Sequence, residues 1–210
     1  MEKKQSWKPG NMLYPVPAVM VSCGDKEGNK NIITIAWAGT ICSDPAMVSI
    51  SVRPERHSYK MIRESGEFVI NLTTKDLAYA TDWCGVKTGA KVNKFKEMNL
   101  TPAPAEKMQY APLIEESPVN IACKVRQVLE LGSHHMFVAE VVAVQVSEKY
   151  MNETGKFELN ETDLVAYSHG EYFVLGEKLG KFGYSVKKTK CFFSKSIENV
   201  VLQTIKMCYT

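Results

Sequence analysis

Two consecutive segments, 119–131 and 135–146, restrict what this chain of 210 residues can fold into more than any other feature. In the first, Val119, Ile121, Cys123, Val125, Leu129 and Leu131 alternate with Asn120, Lys124, Arg126 and Glu130. That is the period of a strand with one face buried and one in water. Gly132-Ser133 then turns the chain back, and 135–146 is apolar on both faces, which predicts a more central strand of the same antiparallel sheet.

The remaining segments read as further strands joined by short helices. Strands are expected over 17–23, 32–38, 46–52 and 68–72, punctuated by Gly24-Asp25, Gly28-Asn29-Lys30 and Ser43-Asp44-Pro45. A helix is expected over 58–64, ended by Gly66. A second over 74–83 aligns Leu77, Ala80, Thr81 and Cys84 on one face, with Thr73 and Asp76 as a capping box and Gly85 as a left-handed cap. A short helix over 93–98 and an extended, proline-containing connection over 101–112 follow. Many closely spaced strands, few helices and no strand–helix–strand rhythm predict a mainly β protein, a barrel with short helices.

The chain is long enough for one compact domain with a substantial core, expected over 1–184. The start, MEKKQSWKPG, has no apolar leader core, and no stretch approaches the roughly 18 apolar residues of a membrane span. The expectation is a soluble cytoplasmic protein with no membrane partner. From Ser185 onward there are five lysines and one glutamate, more than the whole net charge of +3, so the body is slightly acidic. A nucleic-acid binder carries its positive charge on a folded face, and that class is excluded. The tail, 185–210, reads either as an extra helix with Ile197, Val200, Val201 and Thr204 on one face, docked on a partner, or as an extension without fixed structure. The six cysteines lie singly, with no C-x-x-C pair, and read as small buried hydrophobes.

Familiar catalytic signatures are missing. The 85–91 stretch GVKTGAK is not a phosphate loop, GEKLGKFG at 176–183 is not a dinucleotide fingerprint, and no nucleophile elbow or zinc spacing occurs. His134 and His135 are neighbours, so on a strand they face opposite ways and cannot share a metal ion. What remains converges on one ligand. In AWAGTIC, Trp37 offers a flat surface beside the small residues Ala38, Gly39 and Thr40, where a ligand can approach backbone amides. In SVRPERHSYK, arginines, His57 and Ser58 sit where a turn enters a helix, a setting for an anion. Lys91 and Lys94 add charge beside glycines. Each feature alone is ordinary in a globular protein. Together they suit a nucleotide-like cofactor such as a flavin mononucleotide (FMN).

The blocks NIITIAWAGTICSDPAMVSISVRPERHSYKMIRESGEFVINL, GAKVNKF, ESPVNIACKV, LGSHHMFVAEV and YSHGEYFVLGEKLGKFGYS, in this order, resemble the flavin reductase-like, FMN-binding split-barrel family, and most of all its flavoredoxin-type members. The resemblance spans roughly 12–185. It implies a Greek-key split barrel that forms a homodimer with FMN near the subunit interface. By the same resemblance, Asn31 and Trp37 pack the flavin ring, and the backbone from Thr34 through Ala36, Trp37, Ala38 and Gly39 to Thr40 lines it. Ser51, Val52, Arg53, His57 and Ser58 form the phosphate-side turn, Asn71 ends a strand beside it, and Tyr167 is an aromatic near the ring. Lys94 and His134 match the family's cationic positions and are the candidates for tuning the flavin, Lys94 first; its removal is expected to lower the midpoint potential. This chain departs from the pattern with Ser58 for Thr, Asn93 and Ser133 for Asp, and Ala139 for Gly.

The function so implied is redox chemistry through FMN. Electrons come from NAD(P)H or a reduced protein and pass to an acceptor, with a redox protein or an oxygenase as partner. A reductase would release its flavin, whereas a flavoredoxin-type carrier would retain it, and the resemblance favours retention. A non-enzymatic flavin- or ligand-binding module on the same barrel is the alternative. Cys42, beside the ring segment, reads as a bystander.

Overall fold

A computed structural model describes residues 2–186. The chain divides into two units, Met1–Leu175 and Gly176–Thr210, and of the second only residues 176–186 are described, with a short 3₁₀ turn at Tyr184–Val186. The expectations for the rest of the tail lie outside the described residues. In chain order the first unit contains strands β1 (Val16–Pro17), β2 (Val19–Gly24), β3 (Lys30–Ile35), β4 (Ala38–Ser43) and β5 (Ala46–Val52), helix α1 (His57–Ser65) and strand β6 (Glu67–Leu72). Helices α2 (Ala78–Val86) and α3 (Lys94–Glu97) follow, then β7 (Pro102–Pro104), β8 (Pro112–Ile114), β9 (Val119–Glu130), β10 (His135–Val146), β11 (Val165–Ser168) and β12 (Glu171–Val174).

Seven strands form one antiparallel sheet in the order β3-β2-β6-β9-β10-β5-β4. The mainly β expectation holds, but the middle strand of the seven is β9; β10 lies next to it, between β9 and β5, and of its apolar residues only Phe137 and Ala139 are buried. The sheet is not closed by hydrogen bonds, since β3 and β4 are its two edges. It is nevertheless curled. Val21 of β2, Ile33 and Ile35 of β3, Ile50 of β5, Phe68 of β6, Phe137 of β10 and Ile62 of α1 all meet in one buried cluster. Register irregularities at Val138/Ala139 and Val141/Ala143 of β10 and at Thr40/Cys42 of β4 bend the strands that must wrap.

The other face of β2 and β3 carries Met20 and Ile32, which pack with Leu77, Ala80 and Cys84 of the α2 segment, Phe95 of α3 and Ile114 of β8. Covered on both sides, β2 is buried at every position. Glu67, itself buried, fixes the connection below this layer: one carboxylate oxygen accepts the backbone N–H groups of Gln109 (2.9 Å), Tyr110 (2.5 Å) and Ala111 (2.9 Å). The proline-containing connection thereby acquires a two-stranded ladder, β7 with β8. Among the described residues no helix is long and apolar enough to cross a membrane.

Three local readings change. The strand expected over 32–38 ends at Ile35, and a further strand, Ala38–Ser43, follows: the Trp37 carbonyl accepts the Ser51 N–H (2.9 Å) and the chain continues into a hairpin with β5. Helix α2 starts at Ala78, with no side-chain cap at Leu77; Thr73 instead accepts from the Thr81 hydroxyl at 3.1 Å. Gly85 is inside α2, not a left-handed cap, and lies close against the Thr34 side chain. Gly66 does cap α1 as expected, with φ 71°.

Candidate functional site

The outer side of β3 faces the turn before α1 on one side and the end of α2 on the other, and three cavities with shared walls run along it. The first, about 140 Å³, is bounded by Asn31, Arg56, His57, Ser58, Gly89 and Lys94. The second, about 230 Å³, shares Ile33 and Arg56 with the first and adds Thr34, Ala36, Trp37, Ser51, Val52, Arg53 and His134. The third, about 280 Å³, shares Thr34, Ala36, Trp37 and Gly85 with the second and is completed by Tyr14, Asp82, Tyr167 and Tyr172. Together they make a trough, cationic at one end and aromatic at the other.

At the cationic end the Asn31 amide donates to Ser58 Oγ (2.8 Å), both groups being buried, so β3 and the first turn of α1 are locked together. Helix α1 has no side-chain cap at Arg56, which leaves the N–H groups of His57 and Ser58 at the cavity wall, while that of Tyr59 donates to the Arg56 carbonyl (2.9 Å). Lys94, buried at the start of α3, donates to the carbonyls of Ile32 (2.7 Å) and Cys84 (2.6 Å). Burial pulls its ammonium down to about 8, and the neighbouring Cys84 thiol is pushed up to about 11, again by burial. Two carbonyl partners leave the third ammonium proton for the cavity. Glu55 is the one carboxylate in this wall, and it is exposed and paired with Arg53 at 3.5 Å.

Arg56 connects the parts. Its Nη2 donates to the Gly85 carbonyl (2.5 Å), so the turn before α1 is tied to the end of α2 while the guanidinium borders two cavities. The close approach of α2 and the loop after it depends on glycine: a Cβ on Gly89 would lie 2.1 Å from Asn31 Oδ1, and one on Gly85 3.2 Å from the Thr34 Cβ. The Thr34 hydroxyl donates to the Thr81 carbonyl, completing the contact between β3 and α2. In the middle lobe His134 is held below the usual imidazole range by burial first and the Arg53 cation second.

Of the expected site residues, Asn31, Thr34, Ala36, Trp37, Ser51, Val52, Arg53, His57, Ser58, Lys94, His134 and Tyr167 line this trough. His134 and His135 do face apart, the latter's Nδ1 meeting the Tyr59 hydroxyl at 2.7 Å. Other residues are placed elsewhere. Lys91 borders a separate cavity with Asp25, Lys30 and Asn93, which touches the trough only through His57 and Gly89. Ala38, Gly39 and Thr40 line none of these cavities; they lie in the edge strand β4, opposite Ile50, Ser49 and Val48 of β5, with Gly39 and Thr40 exposed. Asn71 contributes nothing to the trough: it is fully buried, donating to the Met20 carbonyl (2.9 Å) and Ser22 Oγ (2.9 Å) and accepting from the Ile114 N–H (3.0 Å). Lys94 sits with the helix start and not with Trp37. Cys42 lines no described cavity and its thiol points to the Asp44 carbonyl (3.4 Å). Sequence reasoning included Arg56 only as one of the two arginines of the anion turn, without a role of its own, and did not assign Gly89, Tyr14, Asp82 or Tyr172 to the site.

Comparison with known proteins identifies the family. Residues 11–176 match the family model described as the flavin reductase like domain. An uncharacterised protein of Pyrococcus abyssi is 30% identical over 168 residues, covering 80% of this chain and 95% of its own. Among solved structures, the flavoredoxin of Desulfovibrio vulgaris (Miyazaki F) is 31% identical with a TM-score of 0.81, covering 88% of this chain and all of its own. The flavoredoxin of Methanosarcina acetivorans is 26% identical with a TM-score of 0.78 and the same coverage. The match extends over most of the chain, including every residue of the trough, and the chain belongs to the flavin reductase like family.

Proposed function

We propose that the trough holds FMN, with its phosphate at the start of α1 and its ring toward Trp37, and that the chain is a flavin-dependent oxidoreductase that retains this cofactor. The observation that carries the reading is the pairing, on one continuous wall, of an uncapped helix start ringed by Ser58, Arg56 and Lys94 with an aromatic lobe around Trp37 and Tyr167. Such a helix start suits a phosphate, because its N–H groups and the helix dipole favour an anion. The close approach permitted by Gly85 and Gly89 suits a thin planar ligand along β3.

When bound, FMN supplies two-electron redox chemistry. The chain's own groups bind and orient it. Ser58 and the first amides of α1 hold the phosphate, with Lys94 beneath them as a fixed cation. Arg56 keeps the two halves of the wall at a constant spacing. His134, favouring its neutral form, presents a hydrogen-bonding ring nitrogen to the middle lobe. This reading moves Lys94 from tuning the ring to anchoring the phosphate. Electrons would arrive from NAD(P)H or a reduced protein and leave to a redox protein or an oxygenase. Self-association into a homodimer, with the split barrel completed at its interface, is part of the same proposal.

The test is the visible spectrum of the purified protein before and after FMN addition, followed by anaerobic NADH and NADPH. Bound flavin that either nicotinamide bleaches supports a reductase with resident FMN. Flavin that binds but stays oxidised points to a carrier reduced by another protein. Absence of any flavin uptake defeats the proposal and leaves the non-enzymatic module.

A further inference from the structure

The groove that Lys91 borders lies beside the cationic end of the trough. Four segments meet there: the turn between β2 and β3, the loop between α2 and α3, the start of α1 and the start of β7. At about 700 Å³ it is larger than any lobe of the trough and within the about 300–1,000 Å³ usual for small-molecule sites. It is walled off from the phosphate end. Gly89 stands against Asn31 so closely that an added Cβ would lie 2.1 Å from Asn31 Oδ1, and His57 and Gly89 are the residues bordering both spaces. The groove's own wall is divided by chemistry: Lys30 and Lys91 supply two cations, and Phe95 and Pro102 an apolar side. Asp25 is the one carboxylate there, and its own turn holds it still. Oδ1 accepts the N–H groups of Glu27 (3.1 Å) and Asn29 (2.8 Å), and Oδ2 the Asn29 side-chain amide (2.8 Å). Three donors leave a carboxylate room for one more, so Asp25 can take a hydroxyl while it repels a second anion.

We propose that this groove binds a free nucleoside monophosphate, as a ligand separate from the flavin. Its three parts answer the three kinds of wall. The phosphate goes to Lys30 and Lys91, with the His57 ring as a further partner, a ribose hydroxyl to Asp25, and the base to the side formed by Phe95 and Pro102. Inorganic phosphate or a small acid would use the lysines alone and leave the apolar side in water. A flavin extended beyond its phosphate would have to pass the Gly89–Asn31 contact, which has no room for a methyl group. The proposal goes beyond the flavin reading and does not depend on it.

The experiment is calorimetric titration of the purified full chain with AMP, adenosine and inorganic phosphate, each in the absence of flavin, with added FMN and with added FAD. AMP binds at least about tenfold more tightly than either half, because one molecule engages both sides of the groove at once. It binds whether or not FMN is present. Lys30→Gln and Lys91→Gln each weaken AMP binding about two- to fivefold, the range of an exposed ion pair, and leave adenosine binding and FMN uptake unchanged. AMP that binds no better than phosphate, that is insensitive to both lysines, or that does not bind at all overturns the proposal. So does displacement of AMP by FMN, which would place it in the trough, or by FAD alone, which would make the groove an extension of the flavin site. FMN uptake is read separately from flavin fluorescence. AMP binding to a chain that takes up no FMN removes the flavin reading alone, and FMN uptake without AMP binding removes this one alone.

Discussion

The Asn31 amide donates to Ser58 Oγ at 2.8 Å, and that single bond joins the first residues of β3 to the first turn of α1 at the cationic end of the trough. Gly89 packs against the same Asn31 side chain so closely that no methyl group fits between them. Gly89→Ala is therefore expected to displace Asn31, break its bond to Ser58 and weaken FMN binding by about tenfold, equivalent to roughly 1.4 kcal/mol. Overpacking of this kind costs about 1–3 kcal/mol of stability. Flavin fluorescence titration and a denaturant melt measure the two effects, and an unaltered FMN affinity would show that the Asn31–Ser58 contact does not shape the site.

Lys94 gives the stability of the protein a predictable pH dependence. Its ammonium is held at about 8 in the folded chain against 10.5 for the free group. Below about 8 both states are protonated, and the full cost of burying the charge is present. Between about 8 and 10.5 the unfolded chain binds more protons, so this group's contribution to stability rises with pH, by on the order of 3 kcal/mol across the window. Lys94→Met removes that rise, seen as a smaller difference between denaturation midpoints at pH 7.5 and pH 10. FMN affinity follows the opposite course: if the charged ammonium anchors phosphate, binding by the unaltered chain weakens above about pH 8, and binding by Lys94→Met is weaker throughout but flat over that range. A wild-type-like pH profile for Lys94→Met would remove it from the site.

What could be read from the sequence divides along physical lines. The strand signals of β9 and β10 and the capping glycine at Gly66 are local, and the structure has all three, although Asn120, on the polar side of the β9 alternation, is buried. Trp37, Ser58 and Lys94 stand out through their residue chemistry, and the family blocks, which keep their order and spacing, give them their roles. The contributions of Tyr14, Asp82, Tyr172 and Gly89 arise only when distant segments meet: Asp82 and Tyr172 are 90 residues apart in the chain. Asn71 illustrates the converse. An Asn near a strand end reads the same whether it faces a ligand or a buried network, and only its bonds to Ser22 and Ile114 separate the two. Likewise, the small residues after Trp37 suggest close backbone approach by a ligand, but they form the edge strand beside β5 and line none of the trough's cavities.

Glu67 is the strongest structural prediction away from the trough. Its carboxylate accepts three consecutive backbone N–H groups, from Gln109 to Ala111, in a buried setting. Glu67→Ala leaves those donors without partners and is expected to cost roughly 2–4 kcal/mol. Glu67→Gln keeps one acceptor oxygen and costs less, about 1–2 kcal/mol. Neither touches a residue of the trough, so FMN affinity of the folded fraction stays the same. Equal melting curves for the unaltered chain and Glu67→Ala would be incompatible with this role.

The Tyr59 hydroxyl sits between His135 Nδ1 and Arg63 Nη1, both at 2.7 Å, and connects α1 to the start of β10. Tyr59→Phe retains the ring that packs edge to face on Phe137 at 5.5 Å and deletes both bonds, at a cost of about 1–2 kcal/mol. His134, the next residue along, faces the trough. Loosening His135 is thus expected to alter the site through the backbone, with a drop in FMN affinity of about threefold or less. A larger loss of affinity with unchanged stability would mean that the Tyr59 network positions the site and does not merely support it.

Arg56 offers a test that separates charge from geometry. Its guanidinium donates to the Gly85 carbonyl at 2.5 Å while bordering both the cationic and the middle lobes. Lysine preserves the charge but lacks the planar fork that can hold a carbonyl and face a ligand at once. If Arg56 only supplied positive potential, Arg56→Lys would bind FMN almost normally and Arg56→Met would not. Because it also ties α2 to the turn before α1, both variants are expected to lose about tenfold in FMN affinity, and Arg56→Met somewhat more. Raising the salt concentration distinguishes the contributions further, since screening weakens the charge term and leaves the tether to Gly85 nearly untouched. Near-complete rescue by lysine at low salt would assign Arg56 to electrostatics alone; failure of both variants places it in the frame that holds the two sides of the trough apart.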